Sequence, residues 1–171
     1  GGGMYNYYFS NLTLENCTFT GNTASSGAGI YSYYYCSLAL DGCTFENNTA
    51  TDGGGMYNAY YCSPELVGCT FENNTADYGG GMFNDYCYAS SMMLTDCTFT
   101  GNTATSGGGM YNDYFSDPTL ITCTFENNTA SSKGGGINCV DASNPTLTEC
   151  IFTGNTATSG GGVSNDNSSP I

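Results

Sequence analysis

The sequence predicts an all-β chain that folds as a right-handed, single-stranded parallel β-helix, a solenoid with about 26 residues per coil. Three observations predict this fold: one sequence unit recurs along the whole chain, each unit alternates with the period of a strand, and equivalent positions in successive units carry the same residue type. Six full coils and a partial seventh are expected to form a single domain over residues 1–171, with coils 1 to 7 starting near residues 1, 27, 53, 79, 107, 134 and 160.

The repeat is marked by the motif Cys-x-Phe, then by Asn-Thr-Ala, and then by a glycine triplet that opens the next unit. The Cys-x-Phe motifs begin at Cys17, Cys43, Cys69, Cys97, Cys123 and Cys150, with spacings of 26, 26, 28, 26 and 27 residues. Glycine triplets and β-branched threonines disfavour helix. Short alternating stretches such as Leu12-Thr13-Leu14 and Cys17-Thr18-Phe19 indicate strands instead, with three strands expected in each coil.

Stacking of coils in register predicts that each inward position forms a column of similar residues. Three columns are apolar and begin at Met4, Leu14 and Phe19; the last of them consists of Phe19, Phe45, Phe71, Phe99, Phe125 and Phe152. Two columns are polar and begin at Asn22 and Asn6, and their amides are expected to bond to the coils above and below. The glycines are expected at corners with positive φ or where backbones approach closely.

Composition excludes several classes of partner. The formal net charge is −14 and Lys133 is the only basic residue, so we expect no binding to nucleic acid and none to anionic membrane surfaces. We expect no direct membrane insertion, because no apolar stretch reaches the roughly 20 residues needed, and no cofactor. The chain shows no leader and no cap at either end, which favours a segment of a longer rod or a polymerising subunit.

The repeat resembles that of a known family. Phe-x-x-Asn, as in Phe19-Thr20-Gly21-Asn22, followed by Gly-Gly and a small aliphatic residue, is similar to the repeat of chlamydial-type polymorphic outer membrane proteins, within the wider class of pectate-lyase-like right-handed β-helices. The resemblance covers nearly the whole chain, although Gly-Gly-Gly-Met stands here where that repeat more often has Gly-Gly-Ala with Ile, Leu or Val. It implies a secreted or surface-displayed adhesive protein, but no particular ligand, because the shared residues form the core.

Aromatic residues recur at outward positions of five successive coils. The predicted interaction face consists of Tyr5, Tyr8, Tyr31, Tyr34, Tyr57, Tyr60, Phe83, Tyr86, Tyr111 and Tyr114, with a third row at Phe9, Tyr35, Tyr61 and Phe115. Exposed aromatic patches mark interaction surfaces, and tyrosine suits contacts with proteins or glycans. The alternative is that these ladders only stabilise the stack and lie against an overhanging turn.

Other residues suggest sites with simpler alternatives. The Cys17 column is expected to pack in the core as small hydrophobic side chains rather than bind metal. Cys36 and Cys62 share a position in successive coils and are a candidate disulfide. Asp85 and Asp113, one coil apart, are a weak candidate Ca²⁺ site whose alternative is a solvated acidic rim. Asn47, Asn73 and Asn127 are candidate glycosylation sites within Asn-Asn-Thr.

The sequence therefore predicts a non-catalytic structural or adhesive protein, extracellular or on a cell surface, as a surface rod or a filament subunit. Its expected partners are further copies of the chain, or surface glycans and proteins. Carbohydrate binding or polysaccharide cleavage is the alternative, but Lys133 is expected to lie in a turn insertion without partners and no long loop builds a cleft. Ice binding is a weaker alternative, because glutamates interrupt the second of two threonine rows.

Overall fold

The computed structural model describes residues 1–88 and 91–170. Its 21 strands pair only in parallel. Each of the first six coils contributes one strand to each of three sheets before the chain returns to the first sheet, and coils 4 and 5 each add a fourth short strand. Within these residues no helix has the length and apolar character needed to cross a membrane. The predicted all-β solenoid is confirmed. Paired residues of neighbouring coils are about 26 positions apart in the sequence, as predicted; Met4, for example, pairs with Ile30.

Three long sheets run along the solenoid. Sheet 1 contains β1 (Met4–Tyr7), β4 (Ile30–Tyr33), β7 (Met56–Ala59), β10 (Met82–Asp85), β14 (Met110–Asp113), β18 (Ile137–Cys139) and β21 (Val163–Asn165). Sheet 2 contains β2 (Thr13–Glu15), β5 (Ala39–Asp41), β8 (Glu65–Val67), β11 (Met93–Thr95), β15 (Thr119–Ile121) and β19 (Thr146–Thr148). Sheet 3 contains β3 (Thr18–Thr20), β6 (Thr44–Glu46), β9 (Thr70–Glu72), β12 (Thr98–Thr100), β16 (Thr124–Glu126) and β20 (Ile151–Thr153), and the short strands β13 (Thr103–Ser106) and β17 (Thr129–Lys133) pair with each other.

The core lies between the three sheets and is built from the predicted columns. Sheet 1 contributes the column that begins at Met4, sheet 2 the leucines and sheet 3 the phenylalanines, and the members of the middle coils are fully buried. Phe45, Phe71 and Phe99 stack with ring centroids 4.6 Å apart and planes within 5° of parallel. Offset stacking of this kind adds about 0.5–1.5 kcal/mol per pair to the free energy gained by burial.

The polar column that begins at Asn22 is fully hydrogen-bonded through the core. The Oδ1 atom of Asn74 accepts two bonds of 3.0 Å, from the backbone N–H and from the side-chain amide of Asn48. The amide of Asn48 also donates to the carbonyl of Phe19 at 2.8 Å. This ladder fixes the turn between sheet 3 and the next coil, as predicted.

The second polar column is interrupted. Asn58 donates to Asn84 at 3.0 Å and Asn84 to Asn112 at 2.8 Å, so one half of the column forms a ladder. Ser32 is too short to continue it, and the Nδ2 of Asn6, the Oγ of Ser32 and the Oδ1 of Asn58 are buried without a hydrogen-bond partner. The column that begins at Asn6 carries serine instead of asparagine in coil 2, and the ladder of amides is broken there.

The glycine triplets have both expected roles. The first glycine of the triplets from coil 2 onward has a left-handed backbone, with φ of 62° at Gly53. The third glycine admits close packing, since a Cβ on Gly81 would lie 2.6 Å from the carbonyl oxygen of Gly109 and 2.8 Å from the ring of Phe99. The phenylalanine column therefore requires glycine beside it.

Candidate interaction surface

The corner that follows each strand of sheet 1 positions the aromatic side chains. In coil 2 the consecutive residues Tyr34 and Tyr35 have φ of 62° and 54°, and coils 1, 3 and 5 repeat this pair of left-handed residues. A left-handed backbone costs a residue with a β-carbon about 1–2 kcal/mol. The chain thus places bulky rings where glycine or asparagine would strain the backbone least.

Three rows of rings follow the solenoid axis, and together they are called the aromatic face. Row 1 lies on the outer side of sheet 1 and consists of Tyr5, Tyr31, Tyr57, Phe83 and Tyr111. Row 2 occupies the first position of the corner and consists of Tyr8, Tyr34, Tyr60, Tyr86 and Tyr114. Row 3 occupies the second position and consists of Phe9, Tyr35, Tyr61 and Phe115.

Neighbouring rings within rows 2 and 3 stack face to face over most of their length. The rings of Tyr35 and Tyr61 are 4.9 Å apart with planes 6° from parallel, and those of Tyr60 and Tyr86 are 5.4 Å apart at 2°. A stacked ring covers the face of its neighbour. The aromatic face therefore presents mainly ring edges and hydroxyl groups to solvent.

The expectation that all of these rings are exposed is wrong for two of them. Tyr5 and Tyr8 are more than half exposed, whereas Phe83 and Tyr111 are only 7 % and 9 % exposed. Both point away from the core, but the ring of Tyr78 covers them, with centroids 6.4 Å and 5.2 Å away. This outcome matches the alternative prediction, in which part of the array lies beneath an overhanging turn.

Two further tyrosines join the face and were not predicted to do so. Tyr7 and Tyr33 lie at the end of their strands, with parallel rings 6.0 Å apart. Tyr33 also packs edge-on against Tyr34 and Tyr60, at 4.5 Å and 5.2 Å, and so connects row 2 to the sheet. The alternation of β1 and β4, in which Tyr7 and Tyr33 follow an inward residue, is the sequence signal that identifies them.

Coil 6 builds the same corner without aromatic residues. Asp141 and Ala142 have φ of 45° and 60°, as Tyr114 and Phe115 do in the preceding coil. The backbone N–H of Phe115 donates to the carbonyl of Asp141 at 3.1 Å, so the two corners stack. The corner therefore does not need an aromatic side chain to form.

Carboxylates accompany the aromatic face. The hydroxyl of Tyr57 donates to Asp85 Oδ2 at 2.9 Å, and Asp52 and Asp113 line a shallow depression of about 250 Å³ beside Tyr111. Burial raises the pKa of all three carboxyls, and that of Asp113 to about 6. The charge of Asp85 also raises the pKa of Asp52 and Asp113, and no basic side chain is among the causes that shift the three carboxyls.

The structure brings the predicted Ca²⁺ ligands together but supplies few of them. Asp85 and Asp113 are in register on β10 and β14. Asp85 already binds the hydroxyl of Tyr57, and Asp113 accepts the backbone N–H of Tyr114 at 2.8 Å. Ca²⁺ requires six to eight oxygen ligands. In the described residues no group of three or more potential ligands occurs, and a Ca²⁺ site here stays a prediction.

With the fold and the surface described, comparison with known proteins identifies the family. The profile of the family described as right handed beta helix region matches residues 2–171. The chain belongs to the right-handed β-helix family. This confirms the wider class in the resemblance found from the sequence. Neither curated proteins nor solved structures gave a significant match to the chain.

The cysteines of this β-helix form two buried columns. The Cys17 column packs in the core as predicted, with partly exposed members only in the end coils, Cys17 and Cys150. Cys36 and Cys62 belong to a second column on the inner side of the aromatic corner. Burial raises the pKa of the Cys62 thiol to about 12. Neutral, buried thiols of this kind are poor nucleophiles and poor metal ligands.

The predicted disulfide is not formed. Cys36 and Cys62 are free thiols, and the backbone N–H of Cys36 donates to Cys62 Sγ at 3.4 Å. In-register parallel coils hold equivalent β-carbons about 4.8 Å apart and pointing in the same direction, whereas a disulfide requires about 3.8 Å. Cys87 continues this column, and its backbone N–H donates to Ser116 Oγ at 3.1 Å.

The sequon asparagines of the β-helix lie in a different corner. Asn47, Asn73 and Asn127 follow sheet 3 in left-handed conformations with φ of 52–54°, and all three are exposed. The asparagines that follow them belong to the buried ladder. Each Asn-Asn-Thr thus has one outward and one inward asparagine, and the attachment of glycans stays a prediction.

Lys133 differs from its expected setting. It ends strand β17, and its Nζ atom forms an ion pair with Asp166 Oδ2 at 2.7 Å. Both side chains are about half exposed, so the pair contributes little to stability.

Proposed function

We propose that this β-helix is a non-catalytic structural and adhesive module, displayed outside the cell, whose aromatic face binds a positively charged protein partner. The aromatic face is the recognition surface, and the stacked coils are the rigid support that holds its rings in position.

The observation that carries the proposal is the comparison of coils 5 and 6. The same left-handed corner forms with Tyr114 and Phe115 in one coil and with Asp141 and Ala142 in the next. Since the corner does not require the rings, their repetition through five coils needs another reason. Strained residues held in place by a rigid scaffold are characteristic of binding sites, and tyrosine supplies a large contact area with a hydroxyl at its tip.

The charge of the surface favours a basic partner. Asp52, Asp85 and Asp113 lie along row 1 with raised pKa values, because burial disfavours all three charged forms and the charge of Asp85 repels the other two. A cationic side chain placed beside them would relieve this repulsion. A second copy of the same face would add to it, which makes face-to-face pairing of two copies unfavourable at neutral pH.

The carboxylates that a hydrolase would need are poorly placed. Glu15, Asp41 and Glu65 line a depression of about 280 Å³ on sheet 2, and all three side chains are exposed. A general acid is normally held in a pocket that removes it from water. Their exposure supports a non-catalytic role.

The exposed sequons support the proposed location. Asn47, Asn73 and Asn127 lie on one stripe of the surface, away from the aromatic face, so glycans attached there would leave that face open.

An array of immobilised ligands tests the proposal. The array carries basic, neutral and acidic peptides and neutral glycans, and it is probed with the protein and with two triple variants. The first replaces Tyr8, Tyr34 and Tyr60 with serine on the aromatic face. The second replaces Thr44, Thr70 and Thr98 with alanine on sheet 3 as the matched control. Circular dichroism confirms that each variant is folded.

We expect binding to basic peptides that the tyrosine variant loses and the threonine variant keeps. Equal binding by all three proteins would show that net charge alone is responsible and would overturn the proposal. Binding to glycans alone, or release of reducing sugar from them, would favour the carbohydrate function instead. Fibres in electron micrographs with no peptide binding would favour self-assembly.

A further inference from the structure

Row 3 of the aromatic face has a gap in coil 4. Phe9, Tyr35 and Tyr61 stack with centroid distances of 5.1 Å and 4.9 Å, and Phe115 resumes the row in coil 5. The ring that would lie between Tyr61 and Phe115 is missing. Row 2 is continuous across the same coils, with Tyr86 stacked 5.4 Å from Tyr60 and 4.4 Å from Tyr114.

The gap arises because coil 4 has one residue fewer in its corner. Tyr86 has a left-handed backbone with φ of 52°, but the next residue does not. Cys87 turns inward at once and joins the buried column, where its backbone N–H bonds to Ser116. The backbone N–H of Tyr61 still donates to the carbonyl of Tyr86 at 2.9 Å, so the coils remain stacked while the outward side chain is lost.

The gap leaves a cleft between two rings of the row, and at its side the ring of Tyr88 packs edge-to-face with Phe115, with centroids 6.1 Å apart. Two coil spacings separate Tyr61 from Phe115 by roughly 10 Å, so a group at the midpoint would lie about 5 Å from each ring. The cleft has a volume of about 310 Å³ and is lined by Tyr61, Tyr86, Tyr88 and Phe115. A cation within about 6 Å of a ring centroid is attracted by the electrons of its face.

Asp85 immediately precedes Tyr86, which lines the cleft, and Asp113 is in register with Asp85 on the next coil. Burial and then Tyr114 raise the pKa of Tyr86, and the charges of Asp85, Asp113 and Asp141 raise it further. Carboxylates near a cleft lined by aromatic rings favour a planar cation with several N–H donors. Guanidinium is more weakly hydrated than ammonium, stacks on rings and binds carboxylates with two parallel hydrogen bonds.

We propose that the cleft between Tyr61 and Phe115 is a binding site for an arginine side chain of a protein partner. This inference rests on the proposed function and adds to it the residue type that the partner presents and the place where it inserts. The guanidinium lies against the rings that line the cleft, and its N–H groups point toward the carboxylates beside Tyr86.

Three peptides that differ in one side chain test the proposal. Ac-Gly-Arg-Gly-amide, its lysine analogue and its citrulline analogue are titrated into the isotopically labelled protein at low salt and followed by NMR. Citrulline has nearly the shape of arginine without the charge. We expect the arginine peptide to bind at least about fivefold more tightly than either analogue, with shifts concentrated at the four cleft residues.

Variants locate the site. Tyr61→Leu and Phe115→Leu each remove a ring that lines the cleft, and Tyr35→Leu is the matched control in the stacked part of the same row. We expect the first two to weaken arginine binding about fivefold or more and the control to leave it unchanged. The proposal would be overturned if the citrulline or the lysine peptide bound as tightly as the arginine peptide. It would also be overturned if all three variants weakened arginine binding equally.

The two proposals fail in different ways. The tyrosine triple variant used on the array keeps Tyr61, Tyr88 and Phe115. If this variant loses binding to the array but still binds the arginine peptide in the titration, both the wider face and the cleft are confirmed. Array binding of basic peptides without any arginine preference in the titration would overturn only the cleft site. If the unmodified protein binds the arginine peptide in the titration but binds no peptide on the array, the wider face is overturned and the cleft alone is supported.

Discussion

The hydroxyl of Tyr57 donates a hydrogen bond of 2.9 Å to Asp85, one coil further along sheet 1. This bond stabilises the charged carboxylate, yet burial outweighs it and the pKa of Asp85 remains raised. The same balance holds at Asp113, where the backbone N–H of Tyr114 opposes burial and the pKa is still about 6. The aromatic face therefore holds carboxylates that are less stable as anions than they are in the unfolded chain.

The first prediction follows from this and concerns pH. Because the folded pKa of Asp113 is above its ordinary value of 3.8, the folded protein binds more protons than the unfolded chain between about pH 4 and 6. The stability that the raised pKa of Asp113 contributes to the folded protein is complete below pH 4 and is lost as the pH rises through 6. We expect the free energy of unfolding in urea to fall by about 1 kcal/mol over this range, a figure that allows for solvent screening of a half-exposed group.

Asp113→Asn provides the check. It should remove most of this dependence and stabilise the protein at pH 7, whereas Asp41→Asn, the same change of charge on sheet 2, should retain it. Parallel pH profiles for the two variants would contradict the assignment to Asp113.

The interrupted asparagine column gives the second prediction. Ser32→Asn supplies an amide that can accept from Asn6 and donate to Asn58, both of which are buried without partners at these atoms. We expect the free energy of unfolding to rise by about 1–3 kcal/mol, since each restored bond contributes about 0.5–1.5 kcal/mol. Thermal unfolding measures the change, and Ser32→Ala, which restores no bond, is the control. A variant less stable than the parent would show that the column has no room for the amide.

The third prediction concerns the glycine beside the phenylalanine column. Gly81→Ala forces a methyl group against the carbonyl of Gly109 and the ring of Phe99, and overpacking of this kind costs about 3 kcal/mol or prevents folding. Gly68→Ala is the comparison, because Gly68 has φ of 57° but nothing within 4 Å of the added carbon. That change should cost only about 1 kcal/mol. Equal losses in urea unfolding would mean that close packing is not what requires the glycine.

The fourth prediction concerns thiol reactivity. Under native conditions iodoacetamide should label Cys17 and Cys150 and leave Cys43, Cys69 and Cys123 unmodified, because burial excludes the reagent. Peptide mass spectrometry before and after unfolding in guanidinium separates the two groups. The same spectra, recorded without reductant, test the free state of Cys36 and Cys62; a mass lower by two hydrogens in their linked peptides would contradict it.

Sequence reasoning succeeded where the structure is periodic. In-register stacking requires the same side chain at the same position of each coil, so Phe19 and its equivalents identified the core and its geometry directly. It failed where a feature occurs once. Tyr78 has no aromatic equivalent in the other coils, and nothing in the repeat indicated that it covers Phe83 and Tyr111.

The cleft could not be predicted for a related reason. By position in the repeat, Cys87 aligns with Tyr61 and Phe115 of row 3, but the shortened corner of coil 4 moves it into the inner column. The number of residues in a coil does not show which of its corners is one residue shorter. The disulfide prediction was wrong because of a distance. Cys36 and Cys62 occupy equal positions in adjacent coils, which holds their β-carbons about 4.8 Å apart, about 1 Å more than a disulfide requires.

The hydrogen bonds between coils run nearly parallel to the axis of the solenoid, because each strand pairs only with the coils on either side of it. Tension applied along that axis would load these bonds a few at a time rather than all together, so the protein would lengthen by peeling one coil after another. Each coil released would convert a rise of about 5 Å into roughly 90 Å of extended chain, and would dissipate mechanical work at every step.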